Sequence, residues 1–289
     1  MAKISDKAAQ SLKIPKIILV TCKFLQFISP NLAALFAAKL FTTPLKHKTP
    51  KRELEMDRKS RQETIYIKAI DKDIVVYHYG EGNKKILLVH GWSGRGTQLV
   101  KFADMFVKGG YSTISFDAPA HGKSSGKTTL MPEFIASILQ LEKEVGPFEA
   151  AVGHSLGGMS LLNSVKRGLK LNKLVCIGSG DVVQDIIDEF IERLELKPEI
   201  GQLMRKHFES KSHEEMDNYS SFRAAQEINI PVLIIHDEND VEVSVKCAQH
   251  IHENLKDGEL IITHNLGHRK ILGSHDVIAK SFDFITKTA

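Results

Sequence analysis

A serine hydroxyl is a weak nucleophile at neutral pH. It needs a histidine to take its proton and a carboxylate to orient that histidine and stabilise its charged form. The chain offers such a set. Gly153-His154-Ser155-Leu156-Gly157 follows the short apolar stretch 148–152 and precedes the helix-like stretch 159–165. Ser155 is therefore expected on a sharp strand-to-helix turn, flanked by glycines because the bend leaves no room for side chains. The five-residue pattern is common in ordinary turns, so its meaning depends on partners. Asp240 follows the apolar run 232–235, and His268 follows the next run, 260–262. Loops at the carboxyl ends of parallel strands share one sheet edge, so Ser155, Asp240 and His268 are expected to converge there. Attack on a carbonyl also needs N–H donors aimed at the developing oxyanion. Leu156 supplies one backbone N–H. The glycine-rich loop 90–96 supplies the other, from Trp92 or, as the neighbouring alternative, Ser93. That loop lacks the G-x-x-x-x-G-K-[ST] pattern of a phosphate cradle.

These residues require a particular set of elements. The runs 86–89, 112–116, 150–152, 174–177, 232–235 and 260–262 are short and almost wholly apolar, as strands buried on both faces are. Amphipathic, helix-length segments such as 98–107 and 132–145 separate most of them, which predicts an α/β fold with a mostly parallel sheet covered by helices on both sides. The stretches 65–67 and 74–77 flank Asp71-Lys72-Asp73 and read as an antiparallel hairpin at a sheet edge. With the hairpin, the sheet has eight strands. Residues 181–227 hold charged amphipathic helical stretches and no convincing strand, so they read as a small helical cap inserted in the catalytic domain. The cap's Phe190, Ile191, Leu194, Leu196, Leu203, Met204 and Phe208 suit either an apolar acyl pocket or the cap's own core.

Residues 1–62 differ from the rest. They carry 13 Lys/Arg against 4 Asp/Glu, a net +9, whereas the whole chain of 289 residues carries only +4. Basicity confined to one segment argues against a nucleic-acid-binding surface spread over the molecule. Within 14–45, apolar residues at helical spacing and a Ser29-Pro30 helix start predict two short helices. Lys23, Gln26 and Lys39 interrupt the apolar run, which falls short of the ~20 residues of a spanning helix. The basic start before Ile17 also has the outline of a secretory leader, which Lys23 cuts short. The segment is expected to be an N-terminal helical arm packed on protein, the main domain or a second subunit, with an interfacial helix pair as the sharper alternative. Residues 46–61, dense in charge, read as a basic linker, placing the catalytic domain at 63–289. Cys22, Cys176 and Cys247 are widely spaced and suit a reducing, cytoplasmic location, with peripheral membrane association or a homodimer through the arm as open alternatives. No cofactor or metal site is expected. His250 and His252 sit on different faces of a helix, while His264 and His275 lack the glycine-histidine loop context of His268.

From about Thr64 onward the sequence resembles the α/β-hydrolase superfamily. The matching stretches are His90-Gly91-Trp92, then Asp117-Ala118-Pro119-Ala120-His121-Gly122-Lys123-Ser124, then the serine turn, then the Asp240 and His268 loops. The resemblance implies a nucleophile elbow at Ser155 and an active-site floor shaped by Asp117 and His121. Ala120 stands where the family usually has glycine. Asp237 stands where it often has glycine, while Asp240 keeps the family's carboxylate position. Serine in place of a carboxylate nucleophile points away from the epoxide-hydrolase and haloalkane-dehalogenase branches. The resemblance implies a serine hydrolase of carboxylic esters acting on a small-molecule ester. Thioesterase, lysophospholipase and acyltransferase chemistry would use the same residues, and a catalytically silent ligand-binding member of the fold is the non-enzyme alternative.

Overall fold

The structure, a computed structural model, describes residues 14 to 287. It divides into two compact units: the N-terminal helices up to Thr42 together with Val183–Met216, and the remainder from Thr43 to Val182 and from Asp217 onward.

The larger unit is built on one eight-stranded sheet: β1 (Arg61–Ile67), β2 (Lys72–Tyr79), β3 (Lys85–Val89), β4 (Ser112–Asp117), β5 (Ala150–His154), β6 (Lys173–Ile177), β7 (Val232–Asp237) and β8 (Gly258–Thr263). Their spatial order is β1-β2-β4-β3-β5-β6-β7-β8. The β1–β2 hairpin pairs antiparallel at the edge and β2 pairs antiparallel with β4, while every later pairing is parallel. This is the mostly parallel α/β sheet that the apolar runs and their spacing predict.

Side chains on a strand alternate between faces, and here both faces are covered. Leu87 and Val89 of β3 and Leu174 and Cys176 of β6 enter one core, with Phe134, Ile138 and Leu162 from the helices Met131–Val145 and Leu156–Lys166. Ile86, Leu88, Val175 and Ile177 enter the other, with Phe102 and Phe106 from Val100–Lys108 and Val277 and Ile278 from His275–Thr286. Each such side chain contributes about 1.5–3 kcal/mol on full burial, which is why the inner strands consist of almost nothing else. The charged stretch before β1 is more than a tether. Lys51–Glu53 and Leu54–Lys59 are helical, and Met56 is completely buried in the second core.

Chain order reverses across β3, whose hydrogen-bonded neighbours are β4 on one side and β5 on the other. A crevice opens outside the carboxyl ends of strands at such a switch point.

The smaller unit contains two N-terminal helices, α1 (Lys16–Ile28) and α2 (Pro30–Phe41), and two helices from the insertion, α3 (Val183–Arg193) and α4 (Glu199–Ser212). Buried Ala33, Ala34, Ala37 and Ala38 give α2 a smooth face, and α2 packs on α4. Phe41 lies 5.1 Å from the Phe190 ring and 6.0 Å from the Phe208 ring. Lys23 reaches Glu195, and Gln26 accepts the Lys197 N–H at 2.7 Å. Ile191, Leu194, Leu196, Met204 and Phe208 are buried. The insertion's apolar residues therefore form the core of this unit with the N-terminal helices, and the acyl-pocket reading of them is not needed to explain their presence.

Candidate active site

β5 ends at His154, and the next helix begins at Leu156, so the chain reverses within one residue. Ser155 makes that turn with φ 53° and ψ −122°. A non-glycine residue in this region stores about 1–3 kcal/mol of strain, which the surroundings must hold in place. Here the Ser155 N–H donates to the Ile177 carbonyl at 2.9 Å, and the Ser155 carbonyl accepts from Gly158 at 3.0 Å. The flanking glycines are required by close approach. A Cβ on Gly157 would stand 2.3 Å from the Val89 oxygen, and one on Gly153 would stand 2.7 Å from the Gly157 backbone.

Asp240 and His268 come together. His268 Nδ1 donates to Asp240 Oδ2 at 2.7 Å, with both side chains more than nine-tenths buried. The other Asp240 oxygen accepts the N–H groups of Glu242 at 2.8 Å and Val243 at 2.9 Å. Burial pushes this carboxyl's pKa up, but hydrogen bonds from His236, His268 and Val243 outweigh it and hold the group well below the usual carboxylate range. Asp240 is thus a fixed anion facing one imidazole nitrogen. The His268 ring lies 4.7 Å from the ring of His154, the residue before the serine. A Cβ on Gly178 would be only 3.4 Å from His268 Nδ1.

The loop after β3 lies against the serine, since a Cβ on Gly91 would stand 2.9 Å from Ser155 Cβ. The two candidate second donors differ in their partners. The Ser93 N–H is taken by His121 Nε2 at 3.0 Å. The Trp92 and Leu156 N–H groups donate to no acceptor among the described residues.

Three buried histidines surround this arrangement, each in a tautomer that its bonds dictate. His90 Nδ1–H donates to the Gly91 carbonyl at 2.7 Å and Nε2 accepts from Ala118 N–H at 3.0 Å. His121 Nδ1–H donates to the Pro119 carbonyl at 3.0 Å while Nε2 holds Ser93. His154 Nε2–H donates to the His268 carbonyl at 2.9 Å. Burial drives all three pKa values down, to about 4 for His90 and about 3 for His121 and His154, so they are neutral hydrogen-bonding struts. Asp117 completes the floor by accepting Gly96 N–H and Lys123 N–H at 2.7 Å each and the Tyr77 hydroxyl at 2.9 Å. Ala120, the departure from the family pattern, has φ 65°, a left-handed conformation that explains the usual glycine.

Two supports were not foreseen. Asp237 accepts from Gly267 N–H at 2.9 Å, Leu266 N–H at 3.0 Å, the Thr263 hydroxyl at 2.8 Å and Asn239 N–H at 3.1 Å. It therefore ties the turn that carries His268 to the end of β7. Its unusual position in the motif was the available signal. Glu53, 1% exposed, accepts from Arg95 at 2.8 Å and the Thr97 hydroxyl at 2.9 Å, anchoring the loop after β3 to the segment before β1. No motif marks it. His236, buried at the end of β7, places Nε2 3.4 Å from Asp240 Oδ2, whereas His250 pairs with Asp181, His252 with the Gly258 carbonyl and His264 with Glu238.

The model of the alpha/beta hydrolase family matches residues 86–211, and that of the TAP-like protein family matches residues 208–285. No curated protein matches the sequence. Among solved structures, an esterase from Exiguobacterium antarcticum is similar with a TM-score of 0.64 at 17% identity, covering 78% of this chain and 100% of its own. An esterase from Pyrococcus furiosus has a TM-score of 0.64 at 16% identity, covering 84% and 95%. The thioesterase domain from the curacin biosynthetic pathway has a TM-score of 0.58 at 14% identity, covering 79% and 99%. The first matched segment carries the loop after β3 and the serine turn, and the second carries Asp240 and His268. The chain is a member of the α/β-hydrolase superfamily.

Proposed function

We propose that the protein is a serine hydrolase that cleaves carboxylic esters through an acyl-enzyme, with Ser155 as nucleophile, His268 as base and Asp240 as its partner. The observation that carries this reading is the buried 2.7 Å bond from His268 Nδ1 to Asp240, formed beside a strained serine turn. With Nδ1–H committed to the carboxylate, neutral His268 presents Nε2 as an acceptor. Ser155 Oγ attacks the ester carbonyl carbon as His268 Nε2 takes the hydroxyl proton. The oxyanion is held by the Trp92 and Leu156 N–H groups, which have no other acceptor among the described residues. The tetrahedral species collapses, and His268 returns the proton to the departing alkoxide. Water, deprotonated by the same histidine, then attacks the acyl-serine and releases the acid.

Esterase and thioesterase structures of the same fold are consistent with acyl transfer. The test is hydrolysis of p-nitrophenyl esters of increasing chain length, alongside an acyl-CoA and a lysophospholipid, by the wild type and by Ser155→Ala. Fluorophosphonate labelling should occur on the wild type only. A fall in kcat/KM of at least about 10³-fold in Ser155→Ala is expected. Undiminished ester hydrolysis by that variant would remove Ser155 from the mechanism.

A further inference from the structure

The site contains a further imidazole that the proposed mechanism does not use. His236 is the fifth residue of β7 and is fully buried. Four apolar residues precede it on a strand covered on both faces, so leucine or isoleucine would suit packing better than a ring with two polar nitrogens. Its Nε2 lies 3.0 Å from the Val243 carbonyl and 3.4 Å from Asp240 Oδ2. Both neighbours are acceptors, so Nε2 carries the hydrogen and shares it between them. Nδ1 has no partner among the described residues. All the hydrogen bonding of this ring is therefore directed at the loop that carries Asp240, while one buried nitrogen is left unpaired.

What this ring adds follows from where the other partners of Asp240 sit. Asp240 Oδ1 accepts from the Glu242 and Val243 N–H groups, which belong to the same loop and move with it. Oδ2 accepts from His268 at 2.7 Å, and His268 stands on a separate turn after β8. Of these partners His236 is the one on a strand, and β7 is hydrogen-bonded to β6 on one side and β8 on the other. Arg269 Nε also ties the two loops, reaching Glu242 Oε1 at 2.9 Å, but Arg269 is 63% exposed and water weakens that pair. A carboxylate held by its own loop alone can turn about its side-chain torsions, and a displacement of about 1 Å in such a site costs about 10²-fold in rate.

We propose that His236 is a positioning residue: its Nε2–H fixes the Asp240 carboxylate from the end of β7, so that Oδ2 keeps its line to His268 Nδ1. This rests on the reading of Ser155, Asp240 and His268 as the catalytic set. His236 acts through Asp240 and exchanges no proton with the substrate. A group anchored on a strand holds such geometry more closely than one anchored on a loop.

The test compares His236→Gln, whose amide nitrogen reaches the place of Nε2, with His236→Phe, which keeps a ring and removes the donor. In p-nitrophenyl ester hydrolysis His236→Phe should lower kcat by at least about tenfold with KM within about twofold of wild type, and His236→Gln should recover most of the loss. Where His236→Phe does not fold, His236→Asn replaces it, since its shorter amide falls short of Asp240. The second readout needs no turnover. It is the downfield proton resonance of His268 Nδ1–H, identified by its absence from His268→Gln and recorded without substrate. That resonance should move upfield or vanish into exchange in His236→Phe and stay in place in His236→Gln. A ring that merely staples the loop through Val243 would lower the melting temperature when removed and leave the resonance unmoved. The proposal is overturned by a kcat loss under about tenfold in His236→Phe, by a loss that His236→Gln does not recover, or by a His268 resonance that stays or moves downfield in His236→Phe. Undiminished ester hydrolysis by Ser155→Ala would remove the catalytic reading instead, and the resonance would still decide whether His236 holds the pair.

Discussion

Asp237 and Asp240 stand three residues apart at the end of β7, and their surroundings give them different work. Asp240 offers one oxygen to His268 and the other to two backbone N–H groups. Asp237 offers both oxygens to the turn leading into His268 and none to the imidazole. On the proposed mechanism Asp240→Asn presents an amide N–H to the imidazole and favours the wrong tautomer, so kcat should fall about 10⁴-fold with the fold intact. Asp237→Asn keeps one acceptor but turns an N–H₂ toward donors. It should cost about 2 kcal/mol of stability in urea denaturation and reduce kcat much less than Asp240→Asn. If Asp237→Asn were as inactive as Asp240→Asn and fully stable, the two roles would be wrongly divided. Sequence order singled out Asp240 because the carboxylate had to follow a strand and precede the histidine. It could not show Asp237's role, since the four groups that Asp237 binds come from residues 239 to 267 and converge only when β7 and β8 pair.

At the scale of elements, the strands were legible for a physical reason. A strand covered on both faces has no polar position, so an uninterrupted run such as Ile86-Leu87-Leu88-Val89 has few other uses. The segment before β1 was misread as a linker for the converse reason. Its charge density hides one buried methionine and one buried glutamate, and the partners of Glu53 lie more than forty residues away. This segment holds the loop after β3. Removing the carboxylate by Glu53→Ala strands Arg95, 13% exposed, without its buried partner. The variant should lose about 3 kcal/mol of stability. Because Arg95 and Thr97 follow Trp92 on the same loop, kcat for ester hydrolysis should fall as well, and Glu53→Gln should recover part of both. Unchanged urea midpoints in Glu53→Ala would show that the segment is a tether after all. The helical insertion was legible as a break in the strand–helix rhythm, but its union with the N-terminal helices was not, because the alanines on α2 and the phenylalanines on α3 and α4 are separated by about 150 residues and carry no shared motif.

The whole molecule inherits a pH dependence from the way its site is braced. His90, His121 and His154 are buried and neutral, with pKa values of about 4, 3 and 3, against about 6.5 in an unfolded chain. Between about pH 4 and pH 6.5 the unfolded chain therefore binds protons that the folded one refuses. Stability must rise with pH across that window and fall as the solution is acidified. Each histidine adds up to about 1.4 kcal/mol per pH unit there, so three give a slope of as much as about 4 kcal/mol per unit around pH 5. Asp237 and Asp240 act lower down. Both are held below their ordinary values, so the stability they contribute is present above about pH 4 and is lost only on further acidification. The two effects are thereby separated in pH. Urea denaturation at pH 7, 6 and 5 should show unfolding free energy dropping most steeply in the last interval, accompanied by uptake of about three protons on unfolding at pH 5. Replacing one strut, as in His154→Asn, should lower stability at pH 7 and flatten the slope by about one third. A stability that stays level from pH 7 to pH 5 would mean that these histidines take up protons in the folded state, and that the site is braced by something other than neutral imidazoles.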